Sequence, residues 1–133
     1  MAAFAFELVS PERILFSGEV DQVVVPGTEG DFAVLKDHAP MMSSLRAAVL
    51  TIDASGKPTQ RMFIRGGFAD VSLNGLTVLA EQAIPVEEVT PDTLHAEAEI
   101  AQAEFDKATT DEGRRAATER LAQIMELRTG LFG

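Results

Sequence analysis

The chain has 133 residues, 46% of them hydrophobic, with a net charge of −10 and no Cys, Trp or Tyr. That is enough apolar matter for one good core, or a small core with an appendage. The lack of Cys excludes disulfides and thiolate chemistry, the negative charge opposes nucleic-acid backbones and anionic lipid, and no aromatic platform for bases exists beyond scattered Phe.

The opening Met1-Ala2-Ala3-Phe4-Ala5 carries no basic residue, so no signal peptide is expected and a cytoplasmic address is the simplest reading. Phe4, Phe6 and Leu8 alternate with Ala5, Glu7 and Val9, the period of a half-buried strand. Ser10-Pro11-Glu12 ends it. Gly18 to Val25 reads as a second extended run, rich in Val. Pro26-Gly27 stops that run, Thr28-Glu29-Gly30 permits a tight reversal, and a short apolar strand follows. A polar corner closes on His38-Ala39-Pro40.

Leu45 to Ile52 is the next strand, bounded by the turn cluster Asp53-Ala54-Ser55-Gly56-Lys57-Pro58. Gln60 to Arg65 and Phe68 to Leu73 follow, separated by Gly66-Gly67. Asn74-Gly75 then predicts a hairpin with a type I′ turn into Leu76–Ala80. Many short strands with frequent turns predict an antiparallel sandwich or flattened barrel over residues 1–86.

After Pro85 the period changes. Thr90-Pro91-Asp92 is a helix start, with a capping hydroxyl, a proline at the first position and an acid at the positive dipole end. Leu94, Ala98, Ala101, Phe105 and Ala108 form one helical stripe, and Thr109-Thr110-Asp111-Glu112-Gly113 breaks it. A second stripe of Ala117, Leu121 and Ile124, beside Met125 and Leu127, ends near Gly130. Residues 87–133 are therefore expected to form an antiparallel helical hairpin. Residues 87–112 hold nine acids and one base, and residues 113–133 four bases and two acids, which suits that pairing. An alanine seam buries little area at about 25 cal/mol per Å², and isolated helices of roughly 15 residues are marginal in water. A stable β half and a loosely held hairpin are expected.

Chemistry is hard to find. The two histidines, His38 and His95, are far apart in sequence, and there is no Gly-x-Ser-x-Gly elbow, Walker loop or dinucleotide fingerprint. Glu87, Glu88 and Asp92 are either a hard-cation site or a solvated acidic helix start, and no EF-hand spacing supports the first. Gly66-Gly67 reads as a bulge or tight bend. His38 is a neutral-pH titrant or a loop-packing residue. Met41 and Met42 face a partner or fill the core. Glu29 and Asp31 meet a basic loop or keep a sheet edge soluble. Arg114, Arg115 and Arg120 reach an acidic partner or pair with the acidic helix beside them.

Taken in order, these segments resemble a known family. Phe6-Glu7-Leu8-Val9-Ser10-Pro11-Glu12, Phe16-Ser17-Gly18-Glu19-Val20, Pro26-Gly27-Thr28-Glu29-Gly30-Asp31-Phe32, His38-Ala39-Pro40, Gly66-Gly67-Phe68-Ala69-Asp70-Val71 and Leu76-Thr77-Val78-Leu79-Ala80-Glu81 together resemble the epsilon subunit of F-type ATP synthases, called delta in mitochondria. The resemblance covers nearly the whole chain. It implies an α+β architecture: a β-sandwich of about ten strands over 1–86, then a two-helix hairpin over 87–133. It also implies a non-catalytic rotor subunit in the central stalk, on the cytoplasmic face of a bacterial inner membrane, joining the gamma subunit to the c-ring so that proton-driven rotation reaches the catalytic heads.

By resemblance, Glu29, Gly30, Asp31 and His38 meet the c-ring, and Ser10, Met42 and Ser43 lie toward gamma. The alternative emphasis is regulatory: the C-terminal helices reach the alpha and beta catalytic heads through Arg114, Arg115 and Arg120 and inhibit hydrolysis. Some relatives bind ATP through an Ile/Leu-Asp-x-x-Arg-Ala segment. Here Pro91-Asp92-Thr93-Leu94-His95-Ala96 puts Pro91 and His95 in place of the apolar residue and the Arg. An imidazole is a poor phosphate clamp beside a guanidinium fork, so ATP is not expected to bind; no other cofactor is expected, and two distant His with no Cys leave no metal expected either. Leu35-Lys36-Asp37-His38 also departs from the usual Pro-Gly before the histidine.

Overall fold

In the computed structural model, which describes residues 3–133, the alternating Phe4, Phe6 and Leu8 are buried on β1 (Phe4–Val9). β2 (Ile14–Val20), β3 (Gln22–Gly27), β4 (Gly30–Val34), β5 (Met41–Asp53), β6 (Gln60–Ser72), β7 (Gly75–Ala80) and β8 (Ala83–Pro85) follow. They form one hydrogen-bonded sheet in the order β2-β1-β7-β6-β5-β3-β4, with β8 beside β6. A single core cluster draws on Val20 of β2 and Val34 of β4, the two ends of that order. The sheet therefore doubles over on itself as a sandwich.

The two 13-residue strands, β5 and β6, make the doubling possible. In β5 the buried positions are Leu45 and Ala47, then Leu50 and Ile52. In β6 the residues of the core cluster are Met62 and Ile64, then Ala69 and Val71, while Phe63 is buried outside that cluster. Inward-facing residues have a period of two in a regular strand, so each strand changes its inward parity midway and serves both layers. Counted by layer, the eight strands become the ten that the resemblance implies.

Several local expectations change. The run read over Gly18–Val25 is two strands, because Asp21 breaks it: its N–H donates to the Asp53 carbonyl at 2.8 Å, and its carboxylate accepts from the Ser55 hydroxyl. Pro26 stays inside β3, where pairing with β5 is interrupted between Val24 and Gly27, so its missing N–H is not needed. Among the described residues every strand pair is antiparallel except β1–β7, which is parallel. Met41 and Met42 both lie on β5 and are exposed, so neither fills the core.

The glycine pair does not separate two strands. β6 runs straight through it. Gly67 has φ 117°, and a Cβ there would sit 2.0 Å from the Leu79 carbonyl oxygen. Gly67 is glycine because β7 comes too close for a side chain, and Gly66 takes φ 92°, a conformation that favours glycine. The hairpin after β6 exists, yet its two loop residues are Leu73 and Asn74, with Ser72 opposite Gly75. Neither loop residue has positive φ. Gly75 does, at 145°, and a Cβ on it would meet the Ala5 carbonyl oxygen at 2.2 Å. The type I′ expectation fails because this glycine serves the neighbouring strand β1 rather than the turn.

Contacts within the chain divide it into two compact units, one ending at Glu87 and the other spanning Glu88–Gly133. In the second, α1 (Pro91–Lys107) starts where the sequence indicates. Thr90 Oγ1 accepts from the Thr93 amide at 3.1 Å, and Thr93 Oγ1 accepts from the Thr90 amide at 3.2 Å. This is a reciprocal capping box. α2 (Asp111–Phe132) is capped by Thr110 and starts two residues before Gly113, which lies inside its first turn. It also continues past Gly130, since no packing or φ demand stops it there. Leu94, Glu97 and Ala101 of α1 and Ala117 and Ile124 of α2 are buried, while Phe105 is partly exposed. No helix is long and apolar enough to cross a membrane among the described residues.

Candidate functional site

Two surfaces of the β unit gather the residues singled out in the sequence. The first is the tip of the β3–β4 hairpin, where Gly27 opposes Gly30 and the loop residues are Thr28 and Glu29. The Thr28 amide donates to the Ser44 carbonyl at 3.0 Å, which ties the tip to β5. Glu29 is exposed, and its carboxylate makes no ion pair or hydrogen bond among the described residues. Asp31 is different: it is ion-paired with Arg46 of β5, whose other guanidinium nitrogen donates to the Gly27 carbonyl at 2.7 Å. Gly30 sits at φ 131° with open space where a Cβ would point.

His38 belongs to the connection between β4 and β5. Its Nδ1–H donates to the Ala39 carbonyl at 2.7 Å, and its ring centroid is 6.4 Å from that of Phe32 on β4. Asp37 beside it adopts φ 67°, unusual for a residue with a side chain. Ser43 also belongs with this group: its hydroxyl oxygen would lie 3.1 Å from a Cβ on Gly27. Met42 and Ser43 therefore occupy opposite faces of β5, and only Met42 joins the second surface.

The second surface is the outer face of the sheet. Ser44, Phe68, Leu79, Val9 and Ile14 are consecutive register partners across β5, β6, β7, β1 and β2. Phe68 is 40% exposed, Leu79 41% and Ile14 61%, and Val9 between them is half-buried, so four of the five form an outward apolar row. Met42 is one diagonal step away, opposite Asp70, and is 65% exposed. Ser10 borders the row. It is nearly buried, its amide donates to the Arg13 carbonyl at 2.9 Å, and with Pro11, Phe68, Leu79 and Glu81 it lines a shallow groove. Phe68, Leu79, Ile14 and Arg46 are the residues missed in the sequence. Arg46 could have been found as the one charge inside Leu45–Ile52, set against the acidic Glu29-Gly30-Asp31.

In the helical unit, two of the three arginines are engaged internally. Arg114 pairs with Asp111 and donates to the Ala108 carbonyl at 3.4 Å, closing the end of α1. Arg120 bridges to both oxygens of Glu104 on α1 at 3.1 and 3.2 Å, which fixes the antiparallel pairing. Arg115 is exposed, with no ion pair or hydrogen bond from its side chain among the described residues. His95 is ion-pairing distance from Glu99 one turn on, at 3.1 Å, and Pro91 occupies the first helical position. Glu87 and Glu88 lie in a short 3-10 turn (Val86–Glu88) and Asp92 in the first turn of α1. Among the described residues no three His, Cys, Asp or Glu are grouped to hold a metal ion.

Residues 3–86 match the family described as ATP synthase, Delta/Epsilon chain, beta-sandwich domain. The chain is 47% identical over 123 residues to the ATP synthase epsilon chain of Parvibaculum lavamentivorans, covering 92% of this chain and 93% of the relative. It is 49% identical over 118 residues to that of Maricaulis maris, covering 89% and 88%. A chain in the Euglena gracilis mitochondrial ATP synthase structure (OSCP/F1/c-ring, rotational state 1) superposes with a TM-score of 0.74 at 22% identity, covering 98% of this chain and 82% of that one. A chain in the Tetrahymena thermophila mitochondrial ATP synthase central stalk and c-ring structure does so with a TM-score of 0.71 at 14% identity, covering 96% of each. With the family match spanning more than half its length and relatives this similar over most of it, the chain belongs to the delta/epsilon chain family of ATP synthases.

Proposed function

We propose that the chain is the central-stalk subunit that couples gamma to the c-ring in a proton-translocating ATP synthase, and that it contributes contacts rather than reacting groups. The observation that carries this reading is the outward apolar row Ile14–Val9–Leu79–Phe68, bordered by Ser10 and Met42. An exposed apolar stripe rimmed by polar residues marks a protein interface, and we assign it to gamma. The hairpin tip, with Glu29, Gly30, Asp31, Ser43 and His38, is assigned to the polar loops of the c-ring. Ser43 moves to that group on its position beside Gly27. The subunit is peripheral on the cytoplasmic side and meets the membrane through its partners alone.

The C-terminal helices support a second, compatible role. Five buried side chains hold α1 and α2, so the hairpin is suited to rearrange and restrain hydrolysis. Of the three arginines, Arg115 is the one available to an acidic surface on the catalytic heads. ATP is not bound, because His95 offers an imidazole already beside Glu99 where a phosphate would need a guanidinium; calorimetry showing sub-millimolar affinity for ATP would overturn this.

The test uses the assembled enzyme in inverted membrane vesicles, with the subunit either intact or lacking residues 88–133. ATP-driven proton pumping per ATP hydrolysed stays at the wild-type value in the truncated form, while the hydrolysis rate rises. Loss of pumping on truncation would move the coupling function to the helices and refute the assignment.

A further inference from the structure

The ladder between β3 and β5 is interrupted at the hairpin that carries Glu29. Val24 opposes Thr51 but Gly27 opposes Leu45, so three residues of β3 advance while six of β5 pass. The ladder resumes only at the Gly27–Leu45 pair and the Thr28–Ser44 bond, so Val25 and Pro26 have no register partner on β5. Arg46 stands in that gap. One nitrogen donates to the Gly27 carbonyl on β3 at 2.7 Å, and the other pairs with Asp31 on β4. A planar guanidinium has the fork geometry to hold two acceptors at once, which an ammonium lacks. The side chain is 27% exposed, so solvent screens it only in part.

We infer that Arg46 is a positioning residue for the c-ring contact: its guanidinium replaces the interrupted ladder, clamps both strands of the β3–β4 hairpin, and leaves Glu29 as the acidic group offered to the partner. The inference rests on the coupling role proposed above. It divides labour between two acids that the sequence treats alike. Asp31 is ion-paired within the chain, whereas the Glu29 carboxylate makes no ion pair among the described residues. A basic or amide-bearing loop of the c-ring is then read by Glu29, and Asp31 acts only through Arg46.

The experiment compares Arg46→Ala, Arg46→Lys and Glu29→Lys in the assembled enzyme, with amide hydrogen exchange measured on the full-length isolated chain. Arg46→Ala raises exchange at residues 28–31 by about ten-fold, the loss of a charge-assisted bond pair, and leaves β1, β6 and β7 at wild-type protection. It lowers pumping per ATP. Arg46→Lys recovers part of both losses, because it restores one bond of two. Glu29→Lys lowers pumping with no change in exchange.

Unchanged exchange at residues 28–31 in Arg46→Ala overturns the inference, whatever happens to pumping. So does raised exchange with pumping intact while Glu29→Lys lowers it, which would leave the coupling role standing. If Glu29→Lys itself pumps normally, the c-ring assignment of the tip fails first and the inference falls with it.

Discussion

Gly67→Ala tests the reason for the glycine pair most directly. The new methyl would sit 2.0 Å from the Leu79 carbonyl oxygen and 2.9 Å from the Ala80 Cα, both backbone atoms that no side-chain rotation can move. An alanine at φ 117° adds conformational strain of about 1–3 kcal/mol. Relieving the clash requires β7 to part from β6 around the Gly67–Ala80 pair, at about 1 kcal/mol for each ladder bond lost. The expected cost is about 3–5 kcal/mol, against a typical domain stability of about 5–15 kcal/mol. With a urea slope near 2 kcal/mol per M, the midpoint falls by about 2 M.

The chain has no Trp or Tyr, and its helices dominate the far-ultraviolet signal, so unfolding is best followed through amide resonances of β6 and β7. Gly18→Ala is the control, since a Cβ there has its nearest neighbour, Phe16 Cε1, at an ordinary 3.8 Å. It should change stability by less than about 0.5 kcal/mol. If Gly67→Ala shifts the midpoint no further than Gly18→Ala does, the close approach of β7 is not what requires glycine.

Other expected outcomes concern the two units separately. Thr90→Ala removes the reciprocal cap of α1 and destabilises the helical unit by about 1 kcal/mol, seen as faster amide exchange over Pro91–Lys107 with β-unit protection unchanged. The double substitution Phe68→Ser and Leu79→Ser removes the centre of the outward apolar row. It weakens binding to gamma by ten-fold or more in a titration of protein that still unfolds cooperatively in urea, at a lower midpoint because both residues are about three-fifths buried. Hydrogen exchange of the intact chain gives the slowest amides in β1, β6 and β7 and faster ones throughout α1 and α2; equal protection would contradict the weak alanine seam.

The sequence discloses what depends on near neighbours along the chain. The period of two at Phe4, Phe6 and Leu8, and the cap at Thr90-Pro91, are local properties, and both appear where expected. Gly66-Gly67 and Asn74-Gly75 are also visible as punctuation, but their meaning is not local. Gly67 is demanded by Leu79 and Gly75 by Ala5, residues distant in sequence, so a strand break and a turn type are natural misreadings. Glu97 is harder still: a buried acid on α1 in a position the stripe leaves to solvent has no signal in a single sequence. The acidic tip is legible from Pro-Gly-Thr-Glu-Gly-Asp. The distinction between Glu29 and Asp31 is not, because it is made by Arg46 from another strand. The apolar row across five strands becomes visible only once the registers are known.

The parity change within β5 and β6 has a mechanical consequence. In a sandwich of separate sheets, sideways load between the layers is resisted by side-chain packing alone, which can slip. Here two continuous backbones pass from one layer into the other. A shear applied at the outer apolar face is thus carried by covalent bonds to the layer behind it, and the two layers cannot creep past each other without unravelling both strands.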